Sequence, residues 1–235
     1  MEELFYTNPY LLSYIIFGVF ALLSYAVSAR LKYKFKKYSE IPVNNNLSGR
    51  EIAEKMLRDN GLSGVRIIMA EGVLSDHYNP LTKTVALSRT VYEGRNVAAA
   101  AVAAHECGHA VQHATAYGML QLRSHLVPVV SFASQWMQWI LLAGIIFINS
   151  FPELMLAGIL LFGATTLFSV ITLPVEVNAS ARAVRWLDRA GIVNYEAKPK
   201  AVSALKWAAY TYLIGALASL AQLVYYILLY LSRRR

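Results

Sequence analysis

Charge is scarce in this chain. Of 235 residues, 15% are Asp, Glu, Lys or Arg while 57% are hydrophobic, a balance too apolar for an ordinary soluble globule. Cysteine is nearly absent: Cys107 stands alone, which excludes an internal disulfide, fits a reducing compartment and leaves the thiol to pack as a small apolar group. No internal repeat, no low-complexity tract and no basic-aromatic motif for reading bases is present. The net charge of +8 therefore points to an anionic lipid surface and not to nucleic acid.

Charge is missing altogether from four stretches, Tyr10–Ala29, Leu126–Pro152, Leu154–Val175 and Trp207–Ser232. Each is long enough to cross roughly 30 Å of hydrocarbon as a helix. The second exceeds one span, so its first turns belong at the interface, where Trp136 and Trp139 anchor or pack and His125 meets the headgroups. The five residues Asn149–Glu153 make a short turn, so the second and third spans are expected to form an antiparallel hairpin. The first span lacks the basic residues that precede the apolar core of a secretory signal; MEELFYTNP is acidic, and RLKYKFKK follows the span. An uncleaved anchor is expected. Five Lys/Arg from Arg30 to Lys37 place that end in the cytoplasm by the positive-inside rule. Six more from Arg182 to Lys206, against three acids from Glu176 to Glu196, support the same face, while Arg233, Arg234 and Arg235 argue the other way.

The segment between the first two spans has ordinary soluble character. Ser48 with Glu51 three residues later forms a capping box, Ile52, Met56 and Leu57 give that helix an apolar face, and Gly61 stops it. The runs VRIIMAEGVL and TVALS read as a hairpin or as adjacent strands around an Asn79-Pro80 turn. Asn96 caps a helix from Val97 to about Ala114. After the third span, PVEVNASARAVRWLDRAG reads as a helix with Pro174 near a kink and Gly191 at its end, followed by a polar link carrying Pro199.

Within the capped helix lies HECGHAVQH, residues 105–113. Residues four apart share a helix face, so His105 and His109 can address one ion, and Glu106, one residue round, can reach a water beside it. This is the H-E-x-x-H arrangement of zinc peptidases, with Zn²⁺ on the imidazoles and the glutamate as general base. Gly108 is expected to leave room beside the metal. Zinc needs a third protein ligand; Glu176, at the end of an apolar span where a lone charge is costly, is the candidate, with pairing to Arg182 or Arg185 as its other explanation. His113 does not fit the spacing of a third histidine ligand and is expected as a polar neighbour or substrate contact. The resemblance of this motif to metallopeptidases implies that SDHYNP supplies an edge strand pairing with extended substrate, which makes His77 and Tyr78 candidate oxyanion donors; the other reading is that Asp76 and Asn79 only shape the turn.

HECGHAVQHA, LSDHYNP and LPVEVNASARA together resemble the YugP-like membrane zinc peptidases, also termed neutral zinc metallopeptidase family 2, over nearly the whole chain. A more distant similarity runs to the HtpX-type and CAAX prenyl proteases, whose third ligand is the glutamate of an E-x-x-A-D pattern. Here that pattern reads Glu176-Val177-Asn178-Ala179-Ser180, so the position of an aspartate that can orient a ligand histidine is Ser180.

The resulting expectation is an α-helical membrane protein with about four transmembrane helices and a small α+β zincin-like extramembrane domain containing a short β-hairpin. Its parts are an anchor at 1–29, a catalytic domain at 30–125, a transmembrane hairpin at 126–175, a third-ligand helix and linker at 176–206, and a last span at 207–235. The expected activity is zinc-dependent endopeptidase, with one Zn²⁺, on unfolded or membrane-proximal polypeptides, above all membrane proteins, at the cytoplasmic face of the bilayer. Any regulatory membrane partner is unknown. The competing reading is a catalytically inactive scaffold with structural zinc, for which Glu106 has no use.

Overall fold

The computed structural model describes residues 9–72 and 75–233; the acidic MEEL terminus, the end of the VRIIMAEGVL run, Arg234 and Arg235 lie outside the described residues. Its helices are α1 (Pro9–Ser39), α2 (Gly49–Asp59), α3 (Arg89–Tyr92), α4 (Val97–Ala114), α5 (Gly118–Ile146), α6 (Pro152–Arg189) and α7 (Lys198–Arg233). The strands are β1 (Arg66–Ala70), β2 (His77–Asn79) and β3 (Thr84–Ser88). Among the described residues, α1, α5, α6 and α7 are long and apolar enough to cross a membrane.

Three of these helices outrun the apolar stretches that signal them. Helix α1 continues ten residues past Ala29 because Lys, Arg and Leu are good helix formers and carry the helix beyond its apolar stretch. Helix α6 is continuous through Pro174, so the third span and the expected ligand helix are one element. Pro199 falls in the first turn of α7, where the missing N–H costs nothing, and the expected polar link is therefore partly helical.

The chain divides into two compact units. One comprises the described parts of Met1–Ala26 and Thr211–Arg235 with Leu122–Leu173. Its core holds Leu141, Met155, Ile159, Tyr225 and Leu229. Gly144 lies against the backbone of Met155, and Gly158 against Leu141. The pairs step in opposite directions along α5 and α6, so the two helices form a close antiparallel hairpin.

The other unit is Val27–Gln121 with Pro174–Tyr210. Its centre is α4, whose alanines from Ala98 to Ala110 are buried in one core with Ile52, Met56, Leu87, Leu187 and Ile192. Asn96 Oδ1 accepts the Ala99 N–H at 2.9 Å and starts α4; Ser48 and Glu51 form the reciprocal box that starts α2. Helices α2 and α6 are followed by Gly61 and Gly191 at φ +72° and +64°, a conformation that glycine adopts without a Cβ penalty.

The sheet runs β1-β3-β2. The two apolar runs are neighbours, but β1 and β3 are parallel, which corrects the expectation of a hairpin between them. The hairpin is β2–β3: the segment read as a connecting turn supplies its own strand, with His77 opposite Ala86 and Asn79 opposite Thr84. Three residues between turn signals are too few for periodicity to reveal. Strand β3 is buried along its whole length and carries the sheet against α4.

Candidate metal centre

Helix α4 is held by its apolar alanines with one face turned to α6. On that face His105 and His109 stand one turn apart, and Glu176 of α6 comes to meet them. His105 Nε2 lies 3.2 Å from His109 Nε2 and 3.2 Å from Glu176 Oε2; His109 Nε2 lies 3.6 Å from the same oxygen. Bonds of about 2.0–2.1 Å at tetrahedral angles require donor atoms roughly 3.3 Å apart. The spacing of two nitrogens and one carboxylate oxygen therefore fits what a zinc ion would need of three protein ligands. The expected alternative partners of Glu176 are elsewhere: among the described residues, neither Arg182 nor Arg185 forms an ion pair with it, and Arg182 donates instead to Asn178 Oδ1 at 2.8 Å.

The remaining ring nitrogens are held as well. Ser180 Oγ is 3.1 Å from His105 Nδ1, close enough for a hydrogen bond that orients the imidazole. His109 Nδ1 is 3.0 Å from Gln112 Oε1. Gln112 is fully buried and donates through Nε2 to Val175 O at 2.8 Å and to Asn178 Oδ1 at 3.0 Å. A backbone carbonyl can only accept, so the amide orientation is settled: Oε1 faces His109, Nδ1 carries the proton, and Nε2 presents its lone pair to the site. The sequence motifs that contain Gln112 and Asn178 assign neither of them a role. The one signal for Gln112 was its place three residues after His109, and nothing local shows that α6 supplies the other end.

Glu106 is 8% exposed. Burial raises its pKa, helped by the charges of Glu176 and Asp76 and opposed by the two histidines. Burial also works against a charge on His109, but contact with Glu176 and the charge of Glu106 outweigh it and raise that pKa. Two carboxylates focused on two imidazoles make a site that draws a cation.

Gly108 has a different role from the one expected. A Cβ there would sit 2.7 Å from Ala179 O and 3.3 Å from Ala179 Cα, so the missing side chain admits the backbone of α6. That approach is what lets Glu176 and Ser180 reach His105.

Tyr78 Oη lies 3.0 Å from His113 Nδ1, and the rings are 5.9 Å apart. Burial raises the Tyr78 pKa, which keeps the phenol protonated. His77 does not accompany it: neighbouring strand residues point to opposite faces, and His77 donates Nδ1–H to Ser75 O at 2.8 Å. Asp76 accepts from the N–H and hydroxyl of Ser88, and Asn79 Oδ1 from the N–H groups of Leu81 and Thr82, so both shape the chain around β2.

A family model described as "Putative neutral zinc metallopeptidase" matches residues 13–231. The "Putative membrane protease YugP" of Bacillus subtilis (strain 168) is 39% identical over 212 residues, covering 90% of this chain and 93% of that protein. No solved structure matches the chain. A match from the first span to the last, carried by a relative of nearly the same length, means that this chain belongs to the neutral zinc metallopeptidase family represented by that model.

Proposed function

We propose that this protein is an integral membrane zinc endopeptidase that hydrolyses unfolded or membrane-proximal polypeptides, with its active site facing the cytoplasm. The observation that carries the reading is the convergence of His105 Nε2, His109 Nε2 and Glu176 Oε2 beside a buried carboxylate that none of them needs as a partner. His105, His109 and Glu176 would hold the zinc, which would supply Lewis acidity toward a water and a carbonyl. Glu106 takes the proton of the attacking water and returns it to the leaving amine, a task suited to a carboxylate whose pKa burial has raised. Gln112 and Ser180 hold the imidazoles in place throughout. Tyr78, paired with His113, offers a hydroxyl to the oxyanion that develops on the scissile carbonyl. The membrane setting rests on four apolar helices and on the name of the Bacillus relative; the cytoplasmic face rests on the positive-inside count.

Purified protein is expected to carry one zinc per chain and to cleave a casein-type substrate. Glu106→Gln should retain the metal and lose turnover by about 10²-fold or more, whereas His109→Ala and Glu176→Ala should lose the metal. Undiminished turnover in Glu106→Gln would assign the base elsewhere. Zinc-loaded wild type that cleaves no polypeptide would leave the scaffold reading in its place.

A further inference from the structure

Beyond Glu176, helix α6 carries Arg182, Arg185 and Arg189 at positions that share one helix face. They line a cavity of about 210 Å³ together with Met56, Asn60, Val111 and Trp186. Three guanidinium groups on one face repel each other and are ordinarily offset by acids. Among the described residues, no carboxylate lies within ion-pair distance of any of the three. The nearby acids are engaged elsewhere: Asp59 accepts from Trp186 Nε1 and Lys55 Nζ, and Asp188 from Lys198 Nζ.

Two of the three arginines and the tryptophan are held in place. Arg182 is fixed through Nε to Asn178 Oδ1 at 2.8 Å, and Arg185 through Nε to Ala181 O at 3.1 Å. Bonding through Nε leaves the terminal amino groups of Arg182 and Arg185 for a further acceptor, and a pair of such groups suits phosphate oxygens. The indole of Trp186 is tied to Asp59 at 3.1 Å, and Met56 and Val111 supply an apolar floor. A concave volume with a cationic rim, a fixed aromatic wall and an apolar base fits an anion that carries some apolar substance with it.

We propose that Arg182, Arg185 and Arg189 form a binding site for a phosphate-bearing anion, separate from the candidate metal centre. The phosphate can come from an anionic phospholipid headgroup or from a free phosphate ester or ion, and an experiment on the full chain separates the two. Protein reconstituted in discs of purely zwitterionic lipid is titrated with inorganic phosphate and, separately, with a short-chain phosphatidylglycerol, following tryptophan fluorescence and the unfolding temperature. Saturable binding of the lipid without inorganic phosphate assigns the site to a headgroup; binding of both assigns it to phosphate as such. In either case Arg185→Gln combined with Arg189→Gln should weaken binding tenfold or more. A second double variant, Arg50→Gln with Arg89→Gln, removes the same charge from exposed positions paired with Glu54 and Glu93 and should bind as wild type does. Absence of binding by wild type, equal binding by the Arg185/Arg189 variant, or equal loss in the Arg50/Arg89 variant would each overturn the proposal. Because the readout is binding and not hydrolysis, a protein without peptidase activity would leave this result standing.

Discussion

Gln112 decides how far the two histidines can act as a metal site. It lies within HECGHAVQH, yet its work is done outside it: Oε1 holds the proton-bearing nitrogen of His109, while Nε2 grips Val175 O and Asn178 of α6. Removing its side chain frees the His109 tautomer and takes one donor each from Val175 O and Asn178 Oδ1. Gln112→Ala is therefore expected to lower zinc affinity about 10- to 100-fold, as loss of such orienting bonds typically does, measured by competition with a chromogenic chelator. Unchanged affinity would mean that His109 is oriented by packing alone. The juxtaposition of His105 and His109, with Glu106 beside them, was legible in the sequence because four-residue spacing on a helix is a local property. Gln112 was not, because its partners lie 63 and 66 residues away.

At the scale of elements, the contact between α4 and α6 rests on a missing atom. Gly108→Ala places a methyl group 2.7 Å from Ala179 O, and backbone, unlike a side-chain tip, cannot swing aside. Overpacking of this kind costs about 1–3 kcal/mol, and it acts where Glu176 is brought to the histidines. Gly108→Ala should lower both the unfolding temperature and zinc affinity, whereas Gly163→Ala, with nothing within 4 Å of the new methyl group, should alter neither appreciably. Equal behaviour of the two variants would refute the close-approach account.

The start of α2 provides a pH test. Glu51 accepts the Ser48 N–H at 2.7 Å, and Arg95 adds a weaker contact, so its carboxyl is held below its ordinary pKa. A depressed folded-state pKa stabilises the fold above the unfolded value of about 4.3, and that contribution fades as pH falls through the folded value. The difference in unfolding temperature between wild type and Glu51→Ala is thus expected to hold steady above about pH 5 and to narrow as pH falls below about 4.3. A gap that stays constant would show that the box does not depend on the charge of Glu51.

For the whole molecule, orientation is the open prediction. Ser63 is exposed in the connection between α2 and β1, and Cys107 is fully buried. In a Cys107→Ser background, Ser63→Cys is expected to resist a membrane-impermeant thiol reagent in intact cells and to react after lysis. Labelling before lysis would move the proposed peptidase to the outer face, and with it the arginine-lined cavity.

What the sequence determined by itself was whatever rests on short-range order: helix-length apolar runs, the caps at Ser48 and Asn96, and two histidines one turn apart on α4. The identity of Glu176 as a candidate ligand was also within reach, because an acid at the end of an apolar span demands a partner. Tertiary structure alone decided which partner it found, the parallel pairing of β1 with β3, and the role of β2 as a strand of three residues. It alone decided the use of Gly108 as well, since a glycine's value lies in what approaches it. These features depend on backbone atoms of segments far apart in the chain, and no local pattern of side chains records where such segments will meet.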